Sequence, residues 1–255
     1  ITYNTPMHPS TVTALLDLNR GFYQTFAQSF AATRRRVQPG VRRVLAGLPP
    51  SGRWLDLGCG SGALAAAWAE SGRQGLYHGL DFSPGLLEEA RAALANIAHP
   101  GLEVRFDLAD LAVAEWDALL RGETYDGILA FAVLHHLPSA ALRLSVLQRA
   151  AGLLPSGGRF IHSEWQYQHS PRLLARQLPW STLGLEDAQL EPGDTLLDWR
   201  APQPGQSGQG LRYVHLFSRE ELEALAAQSG FRVMETFESD GEGGRLGLYQ
   251  VWEKI

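Results

Sequence analysis

An acid followed by spaced glycines is the first group of residues in this sequence that could do chemistry. Residues 55–62 read Leu-Asp-Leu-Gly-Cys-Gly-Ser-Gly, so Asp56 ends a short apolar run and three glycines follow at alternate positions. An Ala- and Leu-rich stretch from Ala63 then predicts a helix. Strand, glycine turn and helix form the opening unit of a doubly wound nucleotide-binding fold, where glycines let a ligand lie against the main chain.

The spacing of these glycines and the neighbouring acid indicate which nucleotide would bind. The order G-x-G-x-G differs from the G-x-G-x-x-G pattern of dinucleotide-binding proteins, and a carboxylate beside the turn would repel a pyrophosphate. A cationic ligand would instead be attracted, and S-adenosylmethionine carries both an ammonium and a sulfonium group. The residues expected to hold this cofactor at the first turn are Asp56, Gly58, Cys59 and Gly60.

Further acids end the next two predicted strands. Asp81 ends the second apolar run, at a position where a carboxylate can accept hydrogen bonds from both ribose hydroxyls. Its neighbour Phe82 is also predicted to contact the cofactor. The third predicted strand, residues 102–106, runs directly into Asp107 and Leu108. There an acid could accept the adenine amino group while the leucine covers the ring, and Asp110 is an alternative for the acid.

Two adjacent histidines follow the fourth predicted strand, residues 125–131. The end of that strand, Ala130 and Phe131, is assigned to the cofactor, while His135 and His136 come at the edge where open α/β sheets bind ligands. A histidine pair suggests a metal, but neighbouring side chains diverge and no third ligand is apparent. We therefore expect no metal here, and contact with a substrate or structural capping remain the alternatives.

The N-terminal segment predicts a helix across the ligand site. Its apolar stripe recurs at three- and four-residue steps over residues 11–36 and must be buried against another surface. Residues 1–50 carry six arginines and one acid, a balance of +5 in a chain whose net charge is −5. Such a leader suits an anionic substrate or partner, although a solvated helix face is the alternative. Tyr23 and Arg34 are the polar side chains expected to face the ligand site. The alternative is that Tyr23 is a core residue and Arg34 a surface residue.

Strands and helices alternate from residue 51 onward, which predicts an α/β fold with a mostly parallel sheet and helices on both faces. A tract rich in Pro, Gly and Gln, residues 202–210, predicts a mobile loop within an insertion. We expect a single domain with four parts. They are a helical leader or lid at 1–50, a cofactor-binding half at 51–165, a substrate-side insertion at 166–212, and a closing helix and strands at 213–255.

Composition excludes several other classes of protein. The single cysteine, Cys59, excludes an internal disulfide and a cysteine-based zinc site. No apolar run approaches the ~20 residues needed to span a membrane, and no signal-peptide pattern opens the sequence. We expect a cytoplasmic protein with no membrane partner.

Taken together, the glycine turn from Asp56, the acids Asp81 and Asp107, and the Leu-His-His-Leu-Pro segment resemble the class I S-adenosylmethionine-dependent methyltransferases. The resemblance covers most of residues 50–165 and 215–255. It implies a doubly wound, seven-stranded sheet whose last strand is antiparallel.

A narrower resemblance covers nearly the whole chain. The sequence is similar to the tRNA wobble-uridine methyltransferases, which esterify 5-carboxymethyluridine. The matching segments are Phe22-Tyr23 with Arg34, Ala132 to Leu137, Trp165, Gly193-Asp194 with Trp199, and Arg212-Tyr213 with His215. The resemblance implies that Arg34, His135, Trp165, Arg212 and Tyr213 border the methyl acceptor. It also implies a small activating protein partner, as in the eukaryotic members.

The match has departures, which leave the acceptor open. Residues 35–39 lack an expected aromatic-proline pair, Val214 replaces an aromatic residue, and the tract at 201–210 is additional. The acceptor could therefore be a tRNA, a small carboxylic acid or another metabolite that an O- or N-methyltransferase modifies. A further alternative is that the protein is a non-catalytic partner subunit of the same fold. The intact acids and glycine turn argue against that last alternative.

The chemistry expected is an in-line displacement of the sulfonium methyl by the acceptor. A carboxylate acceptor needs no general base, and Arg34 or Arg212 would orient it through paired hydrogen bonds. An amine or phenol acceptor would need a base, for which His135 and His215 are candidates.

Overall fold

The computed structural model describes residues 6–33, 36–200 and 209–255. The helices are α1 Pro9–Thr33, α2 Pro39–Ala46, α3 Ala63–Glu70, α4 Pro84–Leu94, α5 Ala140–Gly152, α6 Pro171–Leu174 and α7 Arg219–Gln228. The strands are β1 Ser51–Leu57, β2 Gln74–Asp81, β3 Leu102–Leu108, β4 Gly127–Phe131, β5 Arg159–Trp165, β6 Gln177–Leu178, β7 Asp194–Arg200, β8 Gln209–His215, β9 Phe231–Ser239 and β10 Gly247–Lys254.

The main sheet has seven strands in the order β3-β2-β1-β4-β5-β10-β9. The first five strands of this order pair in parallel, whereas β10 runs antiparallel to both β5 and β9. This confirms the predicted seven-stranded sheet with an antiparallel last strand. The order reverses direction between β1 and β4, and such a switch point opens a crevice at the carboxyl ends of the strands.

Apolar side chains on the two faces of the sheet form separate cores. One gathers Leu55, Ile128 and Trp252 with α5 and α7 residues, and the other gathers Trp54, Trp68 and Tyr77. Burial on both faces explains why the central strands are continuous apolar runs rather than alternating ones. None of the helices in the described ranges has the length and apolar character needed to cross a membrane.

Serine side chains cap the N-termini of two helices. Ser83 is the N-cap of α4 and accepts a hydrogen bond from the Leu86 amide at 3.4 Å. Ser218 caps α7 in the same way by accepting from the Glu221 amide at 3.1 Å. The carboxylate of Glu221, three residues after this serine, contacts Arg143 and His215.

The insertion holds more regular structure than the sequence indicates. Strands β6, β7 and β8 form a second, antiparallel sheet, and α1 packs on β8. Asn19 of α1 donates to the carbonyl of Tyr213 at 3.2 Å and accepts from its amide at 2.9 Å. The side chain therefore satisfies the backbone of β8 and fixes the helix to the small sheet. Most of the tract predicted as a mobile loop, residues 201–208, lies outside the described residues.

Candidate active site

A cavity of about 260 Å³ opens at the carboxyl edge of the main sheet, beneath α1. Its walls come from the ends of β1, β2, β4 and β5, from α1, and from β8 of the small sheet. The predicted site residues that line it are Tyr23, Asp56, Gly58, Cys59, Gly60, Asp81, Phe82, Phe131, His135, Trp165 and Arg212. The structure therefore brings most of the predicted cofactor and acceptor residues to one cavity.

Asp56 lies at the end of β1 with its carboxylate buried against the cavity floor. The Tyr77 hydroxyl donates a hydrogen bond to Oδ2. Burial raises the pKa of Asp56 to about 7, and the hydrogen bond from Tyr77 opposes this rise. A cation beside this carboxylate would favour its ionised form, as an ammonium group would.

The glycine turn after β1 requires residues without a side chain. Gly58 has φ of 68°, and a Cβ atom there would lie 2.7 Å from the Val133 side chain. Gly62 has φ of 76°, and its Cβ would lie 2.8 Å from the backbone of Ala90 in α4. The turn thus brings main chain directly against the cavity, while the Cys59 amide donates to the Leu80 carbonyl at 2.9 Å.

Asp81 at the end of β2 is fixed by backbone hydrogen bonds on both oxygens. The Gly60 amide donates to Oδ2 and the Ser83 amide donates to Oδ1, each at 2.9 Å. Burial raises the pKa of Asp81 to about 6, against these hydrogen bonds. Each carboxylate oxygen keeps a second lone pair, so the group can still accept from a diol in the cavity.

The acids after β3 separate into two positions. Asp107 is half-exposed and its Oδ2 contacts His78 Nε2 at 2.8 Å, and neither Asp107 nor Leu108 lines the cavity. Asp110, the alternative acid, does line it. Its Oδ2 accepts from Arg20 Nε at 2.9 Å and from Arg20 Nη2 at 2.7 Å.

One face of α1 covers the cavity. Leu16, Asn19, Arg20 and Tyr23 line it and recur at the three- and four-residue spacing of a single helix face. The Tyr23 hydroxyl contacts His136 Nε2 at 2.9 Å, and Asn19 donates to the His136 carbonyl at 3.2 Å. Contacts from this face to the histidine segment and to Asp110 hold the helix over the site, the position expected of a lid.

The wall of the cavity next to α1 presents a buried cation. The Arg212 guanidinium carbon lies 4.9 Å from the Phe22 ring centre and 5.1 Å from the Trp165 ring centre. The Trp165 ring in turn stacks on His135, with ring centres 6.1 Å apart. Aromatic faces attract a guanidinium, so this wall holds positive charge in an apolar, largely water-free setting.

Besides Asp107 and Leu108, three predicted site residues lie away from the cavity. Ala130 is buried within β4 and does not line the cavity. Tyr213 and His215 are fully buried on the face of β8 opposite Arg212, because successive strand residues point to opposite sides. Arg34 lies outside the described residues, so its predicted role stays a prediction.

Tyr213 and His215 belong to a charged network beneath the small sheet. His215 Nδ1 contacts Asp194 Oδ1 at 2.7 Å, and the Tyr213 hydroxyl donates to the same oxygen at 2.7 Å. Arg143 of α5 contacts Glu191 at 2.7 Å and Glu221 at 3.3 Å. Burial opposes the charge on His215, but its carboxylate partners raise its pKa overall. The network therefore links the insertion to the main fold.

Three members of this network are close enough to hold a metal. Potential ligand atoms of Glu191, Asp194 and His215 lie within 4.8 Å of one another. Yet Glu191 already contacts Arg143, and Asp194 already accepts from Tyr213. A cation placed here would displace or repel these donors, so the arrangement fits an ion-pair network.

Asn19, Arg20 and Glu164 are the functional side chains that the sequence reasoning missed. The first two precede Tyr23 by four and three residues, so the helical spacing around that tyrosine could have found them. Glu164 lies in the buried strand β5, directly before Trp165, and is fully buried behind His135. A charged residue type in a buried strand is the signal that could have found it.

The side chains gathered in this cavity fit S-adenosylmethionine. Two buried carboxylates stand at the ends of β1 and β2, where an ammonium and a ribose diol would need acceptors. The cavity between them is lined with apolar residues such as Leu86, Leu111 and Val133. Asp56, the glycine turn and Asp81 would hold the cofactor, with Asp110 at the end of the cavity where β3 terminates.

Comparisons with known proteins agree with this interpretation. A family model described as a methyltransferase domain matches residues 27–236. A tRNA (carboxymethyluridine(34)-5-O)-methyltransferase of Schizosaccharomyces pombe is 25% identical over 227 residues, which cover 84% of this chain and 88% of that protein. A trans-aconitate 2-methyltransferase of Methylobacterium radiotolerans is 40% identical over 104 residues, 41% of this chain and 34% of that protein.

The fold is also found among solved structures. A crystal structure of an S-adenosylmethionine-dependent methyltransferase from Clostridium acetobutylicum superposes with a TM-score of 0.63. It is 16% identical in sequence and covers 91% of this chain and 98% of its own. The chain belongs to the methyltransferase family and is an S-adenosylmethionine-dependent methyltransferase.

Proposed function

We propose that this enzyme methylates a carboxylate on an anionic acceptor, and that carboxymethyluridine in tRNA is the first candidate. The observation that carries the proposal is Arg212, a buried cation between Phe22 and Trp165. We call the side of the cavity formed around these three side chains the acceptor wall. A guanidinium binds a carboxylate through two parallel hydrogen bonds. The similarity to the Schizosaccharomyces pombe relative, named for carboxymethyluridine, supports the same chemistry.

A carboxylate acceptor simplifies what the protein must do. The bound cofactor supplies an activated methyl group and a good leaving group. Asp56 and Asp81 hold the cofactor, and Arg212 with Trp165 orients the acceptor beside it. The face of α1 over the cavity excludes water, so the barrier falls chiefly through positioning in a dry site. No side chain has to remove a proton, since a carboxylate is already ionised at neutral pH.

A small carboxylic acid is the second candidate. The chain carries a net charge of −5, which is unfavourable for contacts with many phosphates. The relative from Methylobacterium radiotolerans is named for trans-aconitate, a small carboxylate. Arg212 alone can orient such a substrate, whereas a tRNA needs positive surface beyond the cavity.

A protein partner would reconcile a tRNA substrate with the acidic chain. We propose that a small activating subunit supplies additional positive surface, in line with the resemblance to the eukaryotic wobble-uridine enzymes. Arg36 at the cavity rim, with the other arginines of the leader, would then contribute to the same basic surface.

Transfer of a labelled methyl group tests the acceptor. Purified enzyme is incubated with labelled S-adenosylmethionine and either total tRNA or a panel of small acids that includes trans-aconitate. Each reaction is repeated with cell extract to supply a partner. We expect label in tRNA, and Arg212→Gln should lower transfer by about 10²-fold or more, as expected when a group that positions the acceptor is removed.

Arg200 provides the matched control for Arg212. It lies on the neighbouring strand β7 with its side chain largely exposed, and Arg200→Gln should leave transfer unchanged. Label that enters small acids alone would reject tRNA and keep the carboxylate proposal. Transfer that is equally efficient in the Arg212→Gln variant would reject the role of Arg212.

A further inference from the structure

Behind the acceptor wall, β5 buries a carboxyl group against a histidine of the cavity. Glu164 Oε2 lies 2.8 Å from Nδ1 of His135 and accepts from the His135 amide at 3.1 Å. The other oxygen, Oε1, lies 2.9 Å from Nδ1 of His162. Glu164 does not line the cavity, so any effect on the acceptor must act through His135.

Backbone geometry identifies which nitrogen of His135 carries the hydrogen. The Trp165 amide donates to Nδ1 of His135 at 3.3 Å. A ring nitrogen that accepts a hydrogen bond has no hydrogen of its own, so a neutral His135 is protonated on Nε2. The 2.8 Å contact between Nδ1 and Glu164 then requires the hydrogen to be on the glutamate oxygen.

The surroundings of Glu164 favour this neutral acid. The carboxyl is fully buried, and within the described part of the chain the ionisable side chains paired with it are the two histidines. Burial lowers the pKa of His162 to about 3, so that ring supplies no positive charge. Burial likewise raises the pKa of Glu164 well above its usual range. The His135 amide and, at longer range, Arg143 of α5 oppose this rise, and Glu221 of α7 adds to it.

His136 shows the opposite arrangement one residue later. Its Nδ1 lies 3.3 Å from the carbonyl oxygen of Tyr213, which can only accept, so Nδ1 carries the hydrogen. Its Nε2 then accepts from the Tyr23 hydroxyl at 2.9 Å. Two adjacent histidines of the same cavity wall thus differ in tautomer because their backbone and side-chain partners differ.

We propose that Glu164 is a positioning residue that, as a neutral acid, donates to Nδ1 of His135 and holds this ring as an Nε2–H donor. A donor on the wall that carries Arg212 and Trp165 can bind a carboxylate or carbonyl oxygen of the acceptor. His135 then acts through a hydrogen bond and removes no proton. This last step rests on the proposed carboxylate acceptor, whereas the tautomer itself does not.

Nuclear magnetic resonance tests the tautomer without any acceptor. Histidine nitrogens of the whole protein are recorded by two-bond proton–nitrogen correlation, and His135→Asn and His136→Asn identify the two rings. Between pH 6 and pH 8 we expect His135 protonated on Nε2 and His136, the internal control, protonated on Nδ1. A His135 ring that carries its hydrogen on Nδ1, or on both nitrogens, would overturn the proposal.

Infrared spectroscopy tests the acid directly. The difference spectrum between the wild-type protein and Glu164→Gln should contain the carbonyl stretch of a protonated carboxylic acid. A carboxylate band in its place means that Glu164 is ionised and His135 is prepared to act as a base. The protonation state is read from the spectrum of the wild-type protein, and the variant serves only to identify the band of Glu164.

Kinetics with Glu164→Leu test the link to the acceptor, with total tRNA and trans-aconitate as substrates. We expect KM for the acceptor to rise by about 10- to 100-fold, by analogy with the loss seen when the partner that orients a metal-bound imidazole is removed. The affinity for S-adenosylhomocysteine should stay unchanged, which also shows that the variant is folded. At saturating cofactor, kcat of the wild type should not increase as the pH is raised through the usual pKa of histidine, because His135 removes no proton. A normal acceptor KM in a folded Glu164→Leu variant would contradict the positioning role.

Discussion

The carboxylate of Asp56 at the floor of the cavity should link cofactor binding to pH. Burial raises the pKa of Asp56 from 3.8 to about 7, while an ammonium group requires the ionised form. Affinity for S-adenosylhomocysteine should therefore rise about tenfold between pH 6 and pH 8, in proportion to the ionised fraction. Calorimetry at several pH values measures this, and Asp56→Asn should bind more weakly and lose the dependence. A wild-type affinity that is flat over this range would contradict it.

The same shift affects the stability of the cofactor-free protein. Folded Asp56 binds its proton more tightly than the unfolded chain does. Its contribution to stability is therefore present below pH 3.8 and is lost as the pH rises towards about 7. The residue that prepares the site for a cation thus makes the empty protein less stable at neutral pH.

Asp81 should contribute more to cofactor affinity than Asp107. Asp81→Ala should weaken binding of S-adenosylhomocysteine by about 1.5–3 kcal/mol, the range for losing hydrogen bonds to a charged group. Asp107→Ala is the matched control, because that acid lies outside the cavity and contacts His78. Equal losses in the two variants would mean that the ribose site has been assigned to the wrong strand end.

The contrast between these two acids shows how much of the cofactor site could be predicted from the sequence. The second strand ends at Asp81 in both sequence and structure, so the acid enters the cavity. The third strand was expected to end at Phe106 but continues through Leu108. Asp107 is therefore still a strand residue facing His78, and Asp110 occupies the later turn. An error of two residues in a strand end decides which side chain faces the ligand.

At the scale of elements, the side-chain amide of Asn19 is one of the contacts that fix α1. Asn19 joins the helix to the backbone of Tyr213 and to the His136 carbonyl. Asn19→Ala leaves buried backbone groups without partners, which should cost about 1–3 kcal/mol of unfolding free energy. Methyl transfer should fall as well, since the helix covers the cavity. Denaturant unfolding and turnover are measured beside Gln24→Ala, an exposed position of the same helix that should change neither.

The ion-pair network should matter more than a surface pair on the same helix. Arg143→Met leaves Glu191 and Glu221 buried without their cation, which should destabilise the protein by about 3–5 kcal/mol. Arg149→Met on α5 removes a partly exposed pair with Asp117 and should cost at most about 1 kcal/mol. Urea unfolding compares the two variants, and similar losses would reject the network as the link between insertion and main fold.

The small sheet shows why the strands within the insertion were not predicted. Leu196 and Leu197 of β7 are buried in different clusters, one with Leu15 of α1 and the other with Tyr167. Because both faces are covered, the strand lacks the alternation of polar and apolar residues that identifies a half-buried strand. Its order comes from contacts with α1 and with the main fold, which no local pattern records.

At the scale of the whole molecule, charge and cavity suit an acceptor whose reactive end is anionic. The chain is acidic overall, but its leader carries a net positive charge and Arg212 places a cation on the acceptor wall. The family, the fold and the cofactor site follow from patterns that local sequence preserves. The acceptor depends on a wall assembled from α1, β5 and β8, which meet only in the folded protein.

The chemical nature of the new bond tests the central claim most directly. Product labelled by the wild-type enzyme, from tRNA or from a small acid, is treated with mild alkali. A methyl ester releases its label as volatile methanol, whereas a methyl group on nitrogen or on an ether oxygen stays attached. We predict that the label is released, and that Arg212→Gln yields little labelled product. Alkali-stable label would contradict a carboxylate acceptor.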